Sequence, residues 1–298
     1  MTTFLQLIGS GLALGAAYAL TALGFVVIYR ASQVFNFAHG EFLTFGAFFM
    51  TTMCAAGLPW GLALALSMVA TGLLGAAIER GVLRPLVGRP VFVTIISTIF
   101  IGLLLRELIH AVWGADVRGM PTPWETTYGF ELGGVSILAN AVGAIVAGAL
   151  GLGGFFLLFW KSRLGVAMRA AAGDQETALA LGIPVGRVFG TTWFIAGAYA
   201  AMAGVFLAMF PRQLDPNLGL VALRAFPAVI VGGLTSPLGT VLAGLALGVL
   251  EMLAQGYINP ALGELGQGFH EVFAYLVMIG FLMVRPHGIF GRADVKRV

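Results

Sequence analysis

Two stretches of the sequence place a histidine near a carboxylate, a combination used in general acid–base catalysis and in metal binding. In the first, Asn36, His39 and Glu41 lie together between two apolar runs. In the second, His270 directly precedes Glu271, but the second histidine of the His-Glu-x-x-His zinc motif is missing. A zinc hydrolase is therefore unsupported, and we predict no catalytic residue and no metal site. An intramembrane enzyme is a disfavoured alternative.

These polar groups belong to a chain that is too apolar for a soluble enzyme. Hydrophobic residues make up 59% of it and charged residues 10%, whereas soluble domains carry about 25% charged residues. The 43 glycines are typical of closely packed membrane helices. A single cysteine, Cys54, excludes an internal disulfide and a cysteine cluster. The net charge of +3 is scattered among apolar runs, so nucleic-acid binding is not expected.

The apolar residues form runs that approach the ~20 residues needed to cross a bilayer. The runs cover residues 4–29, 41–56, 60–78, 91–112, 135–160, 188–210, 220–255 and 268–284. The run at 41–56 is short, and the run at 220–255 is interrupted by Gly and Pro, which predicts a half-helix, a break and a longer helix. We predict one all-α permease domain over residues 1–298: a transmembrane bundle of about eight spans, with broken or re-entrant helices and a pseudo-repeat.

Loop charges predict the orientation, because Lys and Arg are retained in the cytoplasm. Basic residues dominate the segments 79–90 and 161–187 and the C-terminal tail, which carries Arg285, Arg292, Lys296 and Arg297. The segment 113–134 is acidic and is expected outside. The N-terminus should then lie outside and the C-terminus in the cytoplasm. The run at 220–255 must cross twice or enter and leave by the same face.

Polar groups at membrane depth usually line a pathway, because they are costly in lipid. The shortness of the run at 41–56 suggests a helix that begins part-way through the bilayer, with Glu41 near its N-terminus, where the helix dipole favours a carboxylate. Asn36, His39 and Glu41 are therefore predicted to line the substrate route. An ordinary cytoplasmic loop is the alternative.

The second predicted break offers free N–H groups and hydroxyls. Its candidate pathway residues are Gly232, Gly233, Thr235 and Ser236. A plain tight turn is the alternative. Paired breaks in two halves of a chain favour a transporter built from repeats, although a passive channel with a polar filter would share them.

The segment 161–187 is predicted to be a cytoplasmic loop that contains one or two short helices, because it is rich in Ala and ends near Gly182 and Pro184. We interpret it as a helix that docks on a cytoplasmic motor. Its candidate contact residues are Arg169, Gly173, Asp174, Glu176 and Gly182. A helix that merely connects two spans is the alternative.

Five motifs, in order, resemble the permeases of branched-chain amino acid ABC importers, of the LivH rather than the LivM type. They are Ile28-Tyr-Arg, Asn36-Phe-Ala-His-Gly-Glu-Phe, Gly173-Asp-Gln-Glu to Leu181-Gly-Ile, Gly232-Gly-Leu-Thr-Ser-Pro-Leu-Gly-Thr and Arg285-Pro-His-Gly-Ile-Phe-Gly. The resemblance spans nearly the whole chain. It implies that residues 170–182 form the region that meets an ATPase.

The resemblance also implies partners and a place in the cell. It implies a bacterial inner-membrane importer, surrounded by lipid, in which this chain pairs with a second, LivM-type permease, two cytoplasmic ATPases and a periplasmic substrate-binding protein. The sequence has no Gly-x-x-x-x-Gly-Lys-Ser/Thr loop, so ATP hydrolysis is expected on other subunits and no cofactor on this one. The expected substrates are branched-chain or related small amino acids; urea, short amides and aromatic or other small carboxylates are the alternatives.

Overall fold

A computed structural model describes residues 2–132, 135–209, 211–285 and 288–291 of the chain. Helices account for most of these residues. Five residues of the predicted C-terminal features, Pro286, His287, Arg292, Lys296 and Arg297, lie outside the described part.

The first half of the chain contains four long helices. They are α1 (Thr2–Ser32), α2 (His39–Ala55), α3 (Trp60–Ile78) and α4 (Val91–Trp113). A π-helical turn at Glu79–Leu83 and a 3-10 turn at Arg84–Leu86 continue α3. A hairpin follows, made of antiparallel strands β1 (Gly129–Leu132) and β2 (Val135–Leu138), with Gly129 opposite Leu138.

The second half begins with α5 (Ala139–Lys161) and the two short helices α6 (Arg163–Gly173) and α7 (Gln175–Ala180). It continues with α8 (Val185–Leu207), α9 (Leu218–Leu223), α10 (Phe226–Gly232) and α11 (Pro237–Leu253). A π-helical turn at Ala254–Ile258 and the short α12 (Asn259–Ala261) extend α11, a 3-10 turn covers Gly263–Gly266, and α13 (Phe269–Val284) ends the bundle.

The predicted bundle of transmembrane helices is confirmed. Six helices of the described residues, α1, α3, α4, α5, α8 and α11 with their extensions, are long and apolar enough to cross a membrane, and the segments 218–232 and 269–284 are shorter apolar helices. The run at 220–255 is broken as predicted, because α10 ends at Gly232 and α11 begins at Pro237. The run predicted at 135–160 begins differently, since residues 135–138 pair as strand β2 before α5 starts.

Helix α1 lies at the centre of the bundle, packed against α11, α8 and α5. Its contact with α11 depends on glycine: a Cβ on Gly11 would lie 2.6 Å from the Cα atom of Val249, and one on Gly15 would lie 2.8 Å from the Cα atom of Leu245. On α11, Gly248 lies directly against Gly15. These small residues let the two backbones approach closely, which is how membrane helices gain packing energy. The order of the contacts makes α1 and α11 antiparallel.

Helix α2 also packs against small residues of its neighbours, and its first residue lies at the depth of the middle of the neighbouring helices. Its residue Leu43 lies against Gly204 of α8, where a side chain would collide with the Leu43 backbone. Just before α2, Ala38 lies 3.3 Å from the position that a Cβ on Gly102, in the middle of α4, would occupy. The first turn of α2 therefore sits deep in the bundle and not at the end of α1.

Candidate functional site

The chain turns back into the bundle between α1 and α2. Among the non-glycine residues that the structure describes, Gln33 alone has a positive φ, of 58°. This conformation is uncommon outside turns. The side-chain Oδ1 atom of Asn36 then accepts a hydrogen bond from the backbone N–H of Ala38 at 3.0 Å, which forms the turn that starts α2. Asn36 is 1% exposed, and its Nδ2 atom is buried with no partner among the described residues.

His39 is fully buried in the first turn of α2. Its Nε2 atom lies 3.1 Å from the carbonyl oxygen of Thr21 in α1. Because a carbonyl oxygen only accepts, Nε2 carries the proton in the neutral ring and Nδ1 is left as an acceptor. Nδ1 has no partner among the described residues. Gly24 makes room for the ring, since a Cβ there would lie 2.5 Å from Nε2.

Glu41 forms a buried ion pair with Arg106 of α4. The Nη2 and Nε atoms of Arg106 lie 2.6 Å and 3.0 Å from the Oε1 atom of Glu41. The Glu41 side chain is 5% exposed and that of Arg106 is 25% exposed. Pairing lowers the cost of both charges inside an apolar bundle. The second carboxylate oxygen, Oε2, has no partner in the described part of the chain, nor does the Nε2 atom of His110 on α4.

The start of helix α9 contacts the start of α2 next to Glu41. A Cβ on Gly219, at the beginning of α9, would lie 2.8 Å from the Oε1 atom of Glu41, and the carbonyl of Gly219 lies against Gly40. The chain reaches this point through a turn in which the N–H of Leu218 donates to the carbonyl of Asp215 at 2.9 Å. The break that contacts Glu41 is thus the start of α9.

The other predicted break lies elsewhere in the bundle. Ser236 caps α11 by accepting a hydrogen bond from the N–H of Gly239 at 3.1 Å, and Gly233 takes a left-handed φ of 100°. The carbonyl of Gly232 accepts from the N–H of Phe290 at 3.3 Å. Thr235 is half-buried in the same turn.

The contacts of Gly232, Gly233 and Ser236 thus run to α11 and to residues 288–290. The neighbouring Pro237 lines a small cavity with Arg30, near the end of α1. The structure brings Asn36, His39 and Glu41 together and forms Gly232–Ser236 into a separate tight turn. Contact of either group with a substrate stays a prediction.

The predicted docking residues divide between the surface and the interior. Gly173, Asp174, Glu176 and Gly182 are exposed, and Leu181 beside them is 76% exposed. Asp174 caps α7: its Oδ1 atom accepts from the N–H groups of Glu176 at 2.9 Å and Thr177 at 3.0 Å. The hydrogen bonds from Thr177 hold the pKa of the Asp174 carboxyl below its usual value.

Arg169, by contrast, points into the protein. Its guanidinium donates to the carbonyl of Phe159 and lies 5.4 Å from the centre of the Phe159 ring. Arg30 of α1 lies at the same distance from that ring. Arg169 therefore joins α6 to α5 and to the end of α1.

Three residues that lie around Glu41 were not identified from the sequence: Arg106, His110 and Gly219. Arg106 carried a usable signal, because a charged residue inside an apolar run is expensive and requires a partner. The sequence also gave no hint of the hydrogen bond from the Tyr18 hydroxyl to Glu251, 2.9 Å long, between α1 and α11. Partners so distant in sequence become visible only when the helices pack.

The second histidine–carboxylate pair has structural partners. The Nδ2 atom of Asn259 donates to the Nδ1 atom of His270 at 2.8 Å. Glu271 forms an ion pair of 2.7 Å with Arg224. Among the described residues, no group of three or more His, Cys, Asp or Glu is placed to hold a metal ion.

Comparison with known proteins agrees with the membrane architecture. The family model described as the permease component of branched-chain amino acid transport systems matches residues 7–282. The chain is 31% identical to the high-affinity branched-chain amino acid transport system permease protein LivH of Escherichia coli K12, over 99% of this chain and 98% of the relative. It is 32% identical, with the same coverage, to BraD of Pseudomonas aeruginosa, a permease protein of the same description.

A more distant relative is the probable branched-chain amino acid permease LivH of Methanocaldococcus jannaschii, 29% identical over 94% of this chain and 90% of the relative. No solved structure matches the chain. The family match over almost the full length, together with the apolar helices, makes this chain a multi-pass membrane protein of the branched-chain amino acid transport permease family.

Proposed function

We propose that this chain is one permease subunit of an ATP-driven importer that moves branched-chain amino acids across a bacterial inner membrane. The single observation that carries the proposal is the match, over almost the full length, to permeases of branched-chain amino acid transport systems. The structure adds the buried Glu41–Arg106 ion pair at the start of α2, where a helix begins in the middle of the bundle. Broken helices with polar groups at mid-depth are the usual form of a transport site.

The unpartnered atoms around this ion pair fit a route for a small polar substrate. Asn36 supplies a free amide N–H, His39 and His110 each have a ring nitrogen without a partner, and Glu41 has a free carboxylate oxygen, all within the described residues. Leaving such groups unpaired in a dry core costs about 1–3 kcal/mol each. Water or substrate that reaches the helix break during transport would satisfy them.

We also assign a role to the turn at Gly232, Gly233, Thr235 and Ser236. It lies close to the end of α1 that carries Arg30, the end we place in the cytoplasm. There the turn would border the inner mouth of the route. We place the N-terminus outside and the C-terminus inside, following the distribution of basic residues.

The motor side of the proposal is the exposed surface of α6 and α7. Gly173, Asp174, Glu176 and Gly182 would contact a cytoplasmic ATPase, together with the exposed side chains of Leu179 and Leu181. Arg169 would not contact the ATPase itself. It would fix α6 to Phe159 of α5, so that a movement of α6 is passed on to the transmembrane helices. The remaining subunits would be a second permease, a second ATPase and a periplasmic binding protein.

The test is reconstitution of the whole importer in proteoliposomes with the binding protein outside and ATP inside. We expect uptake of labelled leucine that stops without ATP and that neither urea nor a short amide suppresses. Uptake of leucine without nucleotide would instead indicate a channel. ATP-driven uptake of urea or an aromatic carboxylate in place of leucine would overturn the substrate assignment.

A matched pair of variants tests the docking surface. Asp174→Ala should keep the folded yield and lower ATP-driven uptake by about tenfold, because the start of α7 loses its cap. Gln255→Ala, at an exposed position on the extension of α11, should leave uptake unchanged. Full uptake by the Asp174 variant would contradict the docking role.

A further inference from the structure

One face of α4 carries a carboxylate among apolar side chains that are open to the surroundings of the bundle. We call Phe100, Leu104, Glu107 and Leu108 the outer face of α4. Leu104 is 70% exposed, Phe100 61% and Leu108 51%, and Glu107 is exposed beside them. Glu107 lies six residues before the end of α4 at Trp113, roughly 9 Å along the axis at the rise of an α-helix.

Glu107 differs from the other carboxylates of the helices that cross the bundle. In the described residues, each of the others has a partner in the chain: Glu41 has Arg106, Glu79 has Arg84, Glu251 has Tyr18 and Glu271 has Arg224. The side chain of Glu107 has neither an ion pair nor a hydrogen bond within the described part of the chain. A charged side chain that faces hydrocarbon costs about 2.5–3.5 kcal/mol at the centre of a span. Glu107 lies between the centre and the end of α4, so a smaller part of this cost applies, and a positively charged partner would remove it.

We propose that the outer face of α4 binds the second permease subunit, and that this partner presents an Arg or Lys side chain to Glu107 at the same depth. The proposal rests on the proposed function, which supplies a partner permease. The apolar side chains around Glu107 provide the packing surface, and the unpaired carboxylate provides the charge that the partner must complement.

A second copy of this chain fits the surface less well. In a two-fold contact centred on α4, the basic side chain nearest to Glu107 on the other copy would be its Arg106, which is already paired with Glu41. Two Glu107 carboxylates would also approach each other. Charge complementarity therefore favours a different chain.

The position of Arg106 shows where this surface lies relative to the candidate site. Arg106 precedes Glu107 directly and remains 25% exposed while it binds Glu41. Successive residues of an α-helix point about 100° apart, so Arg106 lies to the side of the outer face and is not part of it. A partner seated on the outer face of α4 would thus be separated from the Glu41–Arg106 pair by the width of this helix.

Photocrosslinking tests the contact in the complete importer. Benzoylphenylalanine replaces Leu104 on α4 or, as a matched control, Leu150 on α5, which is 72% exposed. We expect a crosslink to the second permease from position 104 and none from position 150. A crosslink from 104 to another copy of this chain, equal crosslinking from both positions, or no protein crosslink from 104 would overturn the proposal.

The variant Glu107→Leu tests the charge. If the face contacts lipid, removing the carboxylate leaves the amount of co-purified second permease unchanged or raises it, which contradicts the proposal. We expect a fall of at least about tenfold, because the partner's cation is left buried and unpaired. If the variant fails to fold, the crosslinks decide alone. Failure of the wild-type importer to take up amino acid would reject the proposed function, whereas normal uptake without the α4 crosslink would reject only this surface.

Discussion

Two ion pairs occupy comparable places in the two halves of the bundle. In the first half, Glu41 at the start of α2 binds Arg106 of α4; in the second, Arg224 between α9 and α10 binds Glu271 of α13. The first pair joins the start of α2 to the last helix of its half, and the second joins the link between two short helices to the last helix of its half. The charges are reversed, since the acid lies on the earlier element in the first half and the base in the second.

The two pairs differ most in their contact with the surroundings. The side chains of Glu41 and Arg106 are 5% and 25% exposed, whereas those of Arg224 and Glu271 are 23% and 44% exposed. A buried charge that loses its partner is strongly destabilising, while an exposed pair contributes little. We therefore expect mutation of the first pair to have the larger effect on stability, and mutation of the second pair the smaller one.

The largest effect is expected from Glu41→Gln. The variant leaves the Arg106 guanidinium in the bundle without a counter-charge, which costs about 3–5 kcal/mol when a buried pair is broken. Folded yield should fall, and uptake per folded complex should fall at least about tenfold. Thermal unfolding in detergent and uptake in proteoliposomes measure the two effects. Wild-type behaviour in both would show that the first pair is no more critical than the second.

The next effect is expected from Gly219→Ala, which probes the contact between the two helix starts. A Cβ at position 219 would lie 2.8 Å from Oε1 and 2.9 Å from Cδ of Glu41. Crowding of this kind costs about 1–3 kcal/mol, so the thermal midpoint and uptake should both drop. Gly153→Ala on α5 is the control, because no atom lies within 4 Å of a Cβ there. An equal response of both variants would refute the close approach at Gly219.

A smaller effect is expected from Glu271→Gln, the matched change in the second half. Its ion pair with Arg224 is partly exposed, and pairs of this kind contribute about 0–1 kcal/mol. Folded yield should be close to that of the wild type, and uptake should change by less than about fivefold. A loss as large as that of Glu41→Gln would erase the distinction between the two halves.

The smallest effect is the response to salt. Ions screen exposed charges but reach buried ones poorly. Raising the salt concentration should lower the thermal midpoint slightly in the wild type and less in Glu271→Gln, since the carboxylate of the second pair is the more exposed of the two. An equal response in both proteins would show that the Arg224–Glu271 pair contributes nothing measurable.

Much of the architecture followed from local composition. The eight apolar runs correspond to helices, the break after Gly232 was predicted at its observed place, and the Ala-rich segment forms two short helices. Each depends on neighbouring residues alone: apolar length for a span, Gly and Pro for a break. The strand at 135–138 was not predicted, because a short apolar run is compatible with a strand and with a helix.

The candidate site was predictable only in part. Asn36, His39 and Glu41 were identified because polar residues stood where a short helix was expected to begin, and they lie together in the structure. The sequence suggested that this break pairs with the one at Gly232–Ser236, whereas the structure brings the start of α9 at Gly219 against Glu41. No local signal marked Gly219, since its role depends on a close approach between helices that are far apart in the chain.

The sequence by itself determined that the chain must lie in a membrane, where its helices begin and break, and which polar residues have to be accommodated in an apolar interior. Only the tertiary structure decided the partners: Arg106 for Glu41, Tyr18 for Glu251 and Arg224 for Glu271. The physical reason is that hydrophobicity and backbone preference act over a few residues. The neutralisation of a buried charge depends on which helices pack side by side.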